Sequence, residues 1–164
     1  MRAWIGLGGN LPESRQALVA AVGALASVGP VGPISSLYRS APRERTDQPD
    51  FLNAALWIAT SLEAVDLMAA ILGVEVSLGR VRAEKWGPRL IDIDILIYGG
   101  MAIDIAGLTI PHPRLTERAF ALAPLVDVMP ETVINGKPAE QWLAQLGRKG
   151  LKVVAGPEWA AAAG

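Results

Sequence analysis

Two carboxylates and a group of cations stand side by side in the middle of the chain. Asp92 and Asp94 alternate with Ile91, Ile93, Ile95 and Ile97 in the run 90–98. A period of two predicts a strand with the isoleucines on a buried face. Leu90, Asp92, Asp94, Leu96 and Tyr98 then share the other face, with the carboxylates about 6.5–7 Å apart along the backbone. Like charges so placed repel unless a cation lies between them. The segment 80–89 just before the strand carries Arg80, Arg82, Lys85 and Arg89, with Trp86 and a Gly-Pro pair. Carboxylates hold Mg²⁺ and arginines hold phosphate, so the juxtaposition predicts metal-assisted phosphoryl chemistry. A D-x-D pair on a one-sided sheet is often only a solvated surface pair. The apolar neighbours on the same face, and arginines that a plain turn does not need, weigh against that reading.

The elements that must position these residues can be read in order. A strand over 3–7 leads through Gly8-Gly9-Asn10-Leu11-Pro12, with Asn10 as cap, into a helix over 14–26. Leu18, Val22 and Leu25 mark its buried stripe. A strand over 34–40 precedes a polar loop, 41–50, long enough to suggest function. The strand 51–59 turns Leu52, Ala54, Leu56 and Ile58 one way and Phe51, Asn53, Ala55 and Trp57 the other. An Asn between rings on a sheet face is a ligand candidate, although most strand asparagines are edge accidents. Thr60-Ser61-Leu62-Glu63 reads as a capping box opening a helix to about 78. Glu75 borders its stripe, where a solvated edge residue is the ordinary expectation.

After the Asp strand come a Gly99-Gly100 turn, a short strand near 101–103, and Ile110-Pro111-His112-Pro113. His112 is the only histidine. A lone histidine is more often structural, but prolines on both sides fix its backbone. Thr116 is placed to cap a helix limited by Pro124. A strand and turn (133–137), a helix (138–146) and a last strand (151–154) follow. The order β-α-β-β-α-β, then additions, predicts an α+β ferredoxin-like antiparallel sheet with both helices on one face and added C-terminal elements. We expect a single domain over 1–156 and a C-terminal tail over 157–164, with the placement of Trp159 open. The loops 41–50 and 80–89 and the segment from Pro111 onward can cover the Asp face.

Bulk properties narrow the function. Fifteen Lys and Arg against sixteen Asp and Glu give a net charge of −1, so no nucleic-acid partner is expected. There is no cysteine, which excludes disulfides and thiolate metal sites. Gly6-Leu7-Gly8 lacks the third glycine of a dinucleotide fingerprint, and Gly136-Lys137 lacks the upstream glycine of a P-loop. No signal peptide and no membrane-spanning run is read, so a cytoplasmic monomer acting on small molecules is expected.

Several separate stretches together resemble the 6-hydroxymethyl-7,8-dihydropterin pyrophosphokinase family. They are Gly6-Leu7-Gly8-Gly9-Asn10-Leu11, Tyr38-Arg39-Ser40-Ala41-Pro42, Asp47-Gln48-Pro49-Asp50-Phe51-Leu52-Asn53-Ala54 and Gly79-Arg80-Val81-Arg82. Trp86-Gly87-Pro88-Arg89 running into Asp92-Ile93-Asp94 is the most specific, and Pro111-His112 with Arg118 and Phe120 completes the set. The resemblance spans Trp4 to about Val154. It implies transfer of pyrophosphate from ATP to the pterin hydroxymethyl group, with release of AMP, in folate biosynthesis. It implies that Asp92 and Asp94 bind two Mg²⁺ ions, with ATP as co-substrate. Arg80 and Arg82 would join the Asp pair in catalysis, Arg82 moving on a mobile closing loop. Met68, Glu75, Arg80, Arg82, Trp86, Arg89, Thr109, His112 and Arg118 would form the ATP site. Ser40, Ala41, Arg43, Phe51, Asn53 and Phe120 would form the pterin site, with the two rings stacking on the ligand. The chain departs from the family pattern at Gly9, Arg43, Leu72 and Pro113, and by one residue fewer between Arg82 and Trp86. The alternatives are a non-catalytic ferredoxin-like binding module or another two-metal phosphotransferase; the acidic net charge weighs against a nuclease.

Overall fold

The computed structural model describes residues 1–43, 46–80 and 88–163. Its centre is an antiparallel sheet. Strands β1 (Arg2–Gly9), β3 (Leu37–Ser40), β4 (Phe51–Ala59), β5 (Asp92–Tyr98) and β10 (Leu151–Ala155) lie in the order β10-β3-β4-β1-β5, and β2 (Val31–Ile34) pairs with β4. With β2 and β3 taken as one interrupted strand, the four strands of the split unit stand fourth, first, third, second. That is the expected ferredoxin-like α+β arrangement. Hairpins β6 (Ile103–Ile105) with β7 (Leu108–Ile110), and β8 (Val133–Ile134) with β9 (Lys137–Pro138), are separate small sheets.

Both faces of the sheet are covered, each by its own set of helices. On the inner face, α1 (Ser14–Leu25) and α2 (Ala64–Ser77) place Leu18, Leu25, Leu67 and Ile71 against Ile5, Leu56, Ile58 and Ile91. On the outer face, α3 (Ala119–Val128) and α4 (Ala139–Leu146) place Leu122, Leu125 and Leu143 against Trp4, Tyr38 and Leu96. These helices cover only part of the outer face, and the remainder carries Asn53, Asp92 and Asp94. None of the described helices is long and apolar enough to cross a membrane.

Several local expectations are corrected. The strand over 34–40 is two strands, because Ser35 leaves the regular ladder and its hydroxyl accepts the Ala55 N–H at 2.8 Å. Asn10 does not cap α1; the helix starts after Glu13 without a side-chain cap, and Asn10 turns elsewhere, as described below. Thr60 forms no capping box. Its hydroxyl accepts the N–H of Leu62, and α2 begins after Glu63. Thr116 lies in a short 3-10 helix, Leu115–Glu117, and Pro124 sits inside α3 rather than ending it. Leu122, Ala123, Pro124 and Leu125 are all buried, and this packing offsets the hydrogen bond that proline removes.

The alternation in β5 also breaks. Trp4 pairs with Ile97 and Ile5 with Ile95, so Leu96 is an extra residue. Such a bulge shifts the side-chain pattern by one. Ile97 therefore joins Leu96 on the outer face and Tyr98 turns to the inner core. The segment expected as a tail is instead a 3-10 helix, Pro157–Ala163, in which Trp159 is 4% exposed and donates its indole N–H to Ser35 O at 2.9 Å. A large apolar ring with one polar atom is held where both needs are met.

Candidate functional site

The floor of the site is set by strand register. Gly8 of β1 lies between Asp92 of β5 and Asn53 of β4, and Gly6 lies between Asp94 and Ala55. Cross-strand partners share a face, so Asp92, Asp94 and Asn53 look out over a strip with no side chains at its centre. A Cβ at Gly6 would stand 3.2 Å from Leu96, and one at Gly8 would stand 3.4 Å from Leu52 O and 3.5 Å from Asn53 Oδ1. The G-x-G pattern, which fails as a nucleotide fingerprint, thus opens a concave floor. Its signal in the sequence was its period of two within a strand.

Two cavities meet on this floor. One is lined by Ser40, Ala41, Arg43, Phe51, Asn53 and Phe120, with Gln48, Arg89, Leu115 and Arg118. The other lies between α2, β5 and the β6–β7 hairpin, and Met68, Leu72, Glu75, Arg80, Thr109 and Pro113 line it. Asp92, Asp94 and His112 belong to both. The structure therefore brings together all the site residues expected from the sequence, except Arg82 and Trp86, which lie outside the described residues together with most of the loop expected to close. Gln48, Leu115 and the floor glycines were not anticipated as lining residues.

Side chains in the first cavity are held by short bonds. Asn53 donates from Nδ2 to Ser40 Oγ at 2.7 Å, which fixes the amide plane and leaves Oδ1 and a second N–H for a ligand. Arg43 donates to Glu117 O at 2.8 Å, joining the start of the 41–50 loop to the 3-10 helix. The Arg118 guanidinium lies 5.6 Å from the Phe120 ring centroid.

The charged centre is built on Glu75, which is 1% exposed rather than a solvated edge residue. Its Oε2 accepts the Ile93 N–H at 2.7 Å and pairs with Arg80 Nη1 at 2.7 Å. The same Arg80 nitrogen lies 3.5 Å from Asp92 Oδ1, and Arg89 Nη1 lies 3.3 Å from Asp92 Oδ2. A buried acid under the sheet edge thus aims an arginine at the carboxylate pair. Burial raises the Glu75 pKa, against the opposing pull of the Ile93 N–H and Arg80. Burial, then the charges of Asp92 and Glu75, pushes Asp94 up to about 7. Burial, then Arg118, holds His112 below its ordinary value. The His112 N–H donates to Leu96 O at 2.9 Å, the carbonyl of the bulge residue. Its Nδ1 accepts the Arg114 N–H at 3.3 Å.

This centre fits a divalent cation. Of the two neighbouring carboxylates, Asp94 is raised to about 7 by burial and then by the charges of Asp92 and Glu75, and a positive ion between the pair would oppose both effects. Among the described residues no group of three His or carboxylate side chains encloses one metal position. Mg²⁺ suits such an open site, since it takes one or two carboxylates and completes its shell with water and phosphate.

Residues 4–130 match the family model for 7,8-dihydro-6-hydroxymethylpterin-pyrophosphokinase. The chain belongs to this family. Among pyrophosphokinase relatives, the 2-amino-4-hydroxy-6-hydroxymethyldihydropteridine pyrophosphokinase of Methylorubrum extorquens is 41% identical, over 93% of this chain and 98% of the relative. The enzyme of the same name from Bacillus subtilis is 39% identical over 84% of each chain. A mitochondrial folate synthesis bifunctional protein of Pisum sativum is 41% identical over 71% of this chain but only 22% of its own length. The crystal structure of wild-type Plasmodium falciparum HPPK-DHPS with pteroate superposes with a TM-score of 0.72 at 14% identity, over 88% of this chain. This chain spans 44% of that longer protein, and the likeness supports the fold alone.

Proposed function

We propose that the chain transfers the β,γ-pyrophosphate of ATP to the hydroxymethyl oxygen of 6-hydroxymethyl-7,8-dihydropterin, giving the pterin diphosphate and AMP in folate biosynthesis. The observation that carries this reading is the meeting of two cavities at Asp92, Asp94 and His112. A transfer between two small molecules needs two pockets with one charged seam.

On this reading the cavity around Asn53 takes the pterin. The Asn53 amide offers a donor and an acceptor side by side, matching the mixed edge of the ring, and Phe51 and Phe120 pack its faces. The cavity bounded by Met68, Glu75 and Thr109 takes the nucleotide. Arg80, Arg89, Arg118 and His112 border the seam and receive phosphate charge. Asp92 and Asp94 would hold two Mg²⁺ ions, which when bound neutralise phosphate charge and assist both attacking and leaving oxygens. The pterin hydroxyl gives its proton to solvent as its oxygen bonds to the β-phosphorus and the bond from that phosphorus to the bridging α-phosphate oxygen breaks, so that AMP leaves with that oxygen. The protein supplies no nucleophile; it positions the groups and compensates charge. Arg82 and Trp86 are assigned to closure of the site on the family resemblance.

The test is AMP formation from ATP and Mg²⁺ with and without the hydroxymethyl pterin. Pterin-dependent AMP, equimolar with pterin diphosphate, is expected. Nucleotide consumption that ignores the pterin would point to another two-metal phosphotransferase, and ligand binding with no AMP to a binding module.

A further inference from the structure

The helical side of the sheet, opposite the two cavities, presents a nearly uncharged face. No charged residue occurs from Gln16 to Tyr38, a stretch that includes all of α1 after Arg15. Within α2 the only charged residues are Asp66 and Glu75, and Glu75 is buried. Yet α2 is apolar on its outer side as well as its inner one. Val65, Leu72 and Val76 are 56%, 47% and 71% exposed, and a helix apolar all round is ordinarily covered all round.

The two helices differ in relief. On α2, Val65, Ala69, Leu72 and Val76 are all exposed, and their spacing of four, three and four sets them in one row, a ridge. On α1 and the turn after it, Gln16, Ala20, Gly23 and Ser27 are all exposed with the same spacing, and their small side chains leave a trough. Gly23 and Gly73 lie inside α1 and α2, and a Cβ at either would meet nothing within 4 Å. Glycine weakens a helix relative to alanine, and no contact within the chain requires it at these places. Close approach of a second backbone does.

The face is also large enough. Helices of 12 and 14 residues are about 18 and 21 Å long. Packed about 10 Å apart, they give a footprint on the order of 20 by 20 Å. A stable interface takes about 800 Å² of accessible surface from each partner, with an uncharged core inside a polar rim. The corrugated footprint supplies such a core, and Arg15, Glu63 and Asp66, all exposed, stand near the helix starts at its margin.

We propose that this face is the interface of a homodimer in which the α2 ridge of each copy lies in the α1 trough of the other, in place of the monomer expected from the sequence. A ridge and a trough of equal spacing side by side on one surface are self-complementary, which is what a two-fold interface requires. A partner of different sequence has no reason to match both. α1 follows β1 and α2 follows β4, and these strands are antiparallel, so the two helices run oppositely. A two-fold axis along them sets Gly23 of one copy opposite Ala69 of the other at the centre. This proposal does not depend on which ligand each cavity takes.

Sedimentation of the full chain from about 1 μM to about 1 mM should show a reversible shift from the chain mass of 17.3 kDa to twice that mass. Gly23→Glu and Ala69→Lys each bring a charge into the core and should weaken dimerisation at least about ten-fold. Mixed in equal amounts, the two variants should associate more tightly than either alone, because a lysine on one ridge then meets a glutamate in the other trough. Both positions are exposed and both new residues are good helix formers, so melting at low concentration should show folded variants. The chain has no cysteine, which gives a second readout. Gly23→Cys and Ala69→Cys proteins, mixed and oxidised, should form mixed disulfides in preference to self-disulfides. A chain that stays monomeric at the highest concentration overturns the proposal, including the case in which a different protein covers the face. A dimer left intact by both charged variants, or self-disulfides in excess, overturns the ridge-in-trough interface.

Discussion

Asp94→Asn should make the metal-free protein more stable while sharply slowing its chemistry. The Asp94 pKa stands at about 7 rather than 3.8, because burial and then the charges of Asp92 and Glu75 oppose its ionisation. The folded state therefore holds a proton that the unfolded chain releases between these values. The stability linked to Asp94 is fully present below about pH 4 and is lost as pH rises through about 7. The rise from 3.8 to about 7 corresponds to roughly 4 kcal/mol at about 1.36 kcal/mol per unit. Asp92 and Glu75 share the repulsion and Asp94 keeps some solvent, so removing its charge alone recovers about 1–3 kcal/mol. In a domain of this size that raises Tm by about 3–10 °C. Thermal unfolding in chelator at pH 8 should show this gain, and at pH 4 the two proteins should melt together. Saturating Mg²⁺ at pH 8 should reverse the order, since only the wild type keeps both carboxylate ligands. Turnover of Asp94→Asn should fall by about 10³-fold. A variant no more stable than wild type at pH 8 without metal would refute the argument that burial, together with Asp92 and Glu75, makes the Asp94 charge costly in the folded protein.

Other perturbations test other parts of the structure. Asn53→Ala should weaken pterin binding by about 1–3 kcal/mol while leaving ATP-analogue binding nearly unchanged; equal losses for both would make Asn53 a structural residue. Gly9→Ala places a methyl 2.3 Å from Leu90 O and 2.6 Å from Ser14 Oγ. It should destabilise the fold by about 1–3 kcal/mol in urea unfolding, and wild-type stability would mean the turn yields easily. Trp159→Ala removes a ring that is 4% exposed and should cost about 3–5 kcal/mol, whereas an unchanged Tm would show that the terminal 3-10 helix contributes nothing to the core.

Much of the site was legible because it depends on strand periodicity. Asp92 and Asp94 share a face because side chains alternate, whatever the strand packs against. The same rule placed Asn53 between Phe51 and Trp57, and it would have placed Gly6 opposite Asp94 once the register was known. The order of elements sufficed for the ferredoxin-like sheet, since few topologies accept β-α-β-β-α-β with short connections. Tertiary structure decided whatever depends on a partner far along the chain. Asn10 has the sequence signature of a helix cap, yet its amide is taken by Gln48, Pro49 and Arg89, as many as 79 residues away. Glu75 looks like a helix-border acid, yet the Ile93 N–H and Arg80 beneath the sheet edge make its burial affordable. The bulge at Leu96 has no local mark, because it is a mismatch in length between β5 and β1 and exists only once they pair. Trp159 could dock only where the break at Ser35 left a carbonyl to receive it. Local pattern dictates which face a side chain takes; only packing decides which distant atom it meets there.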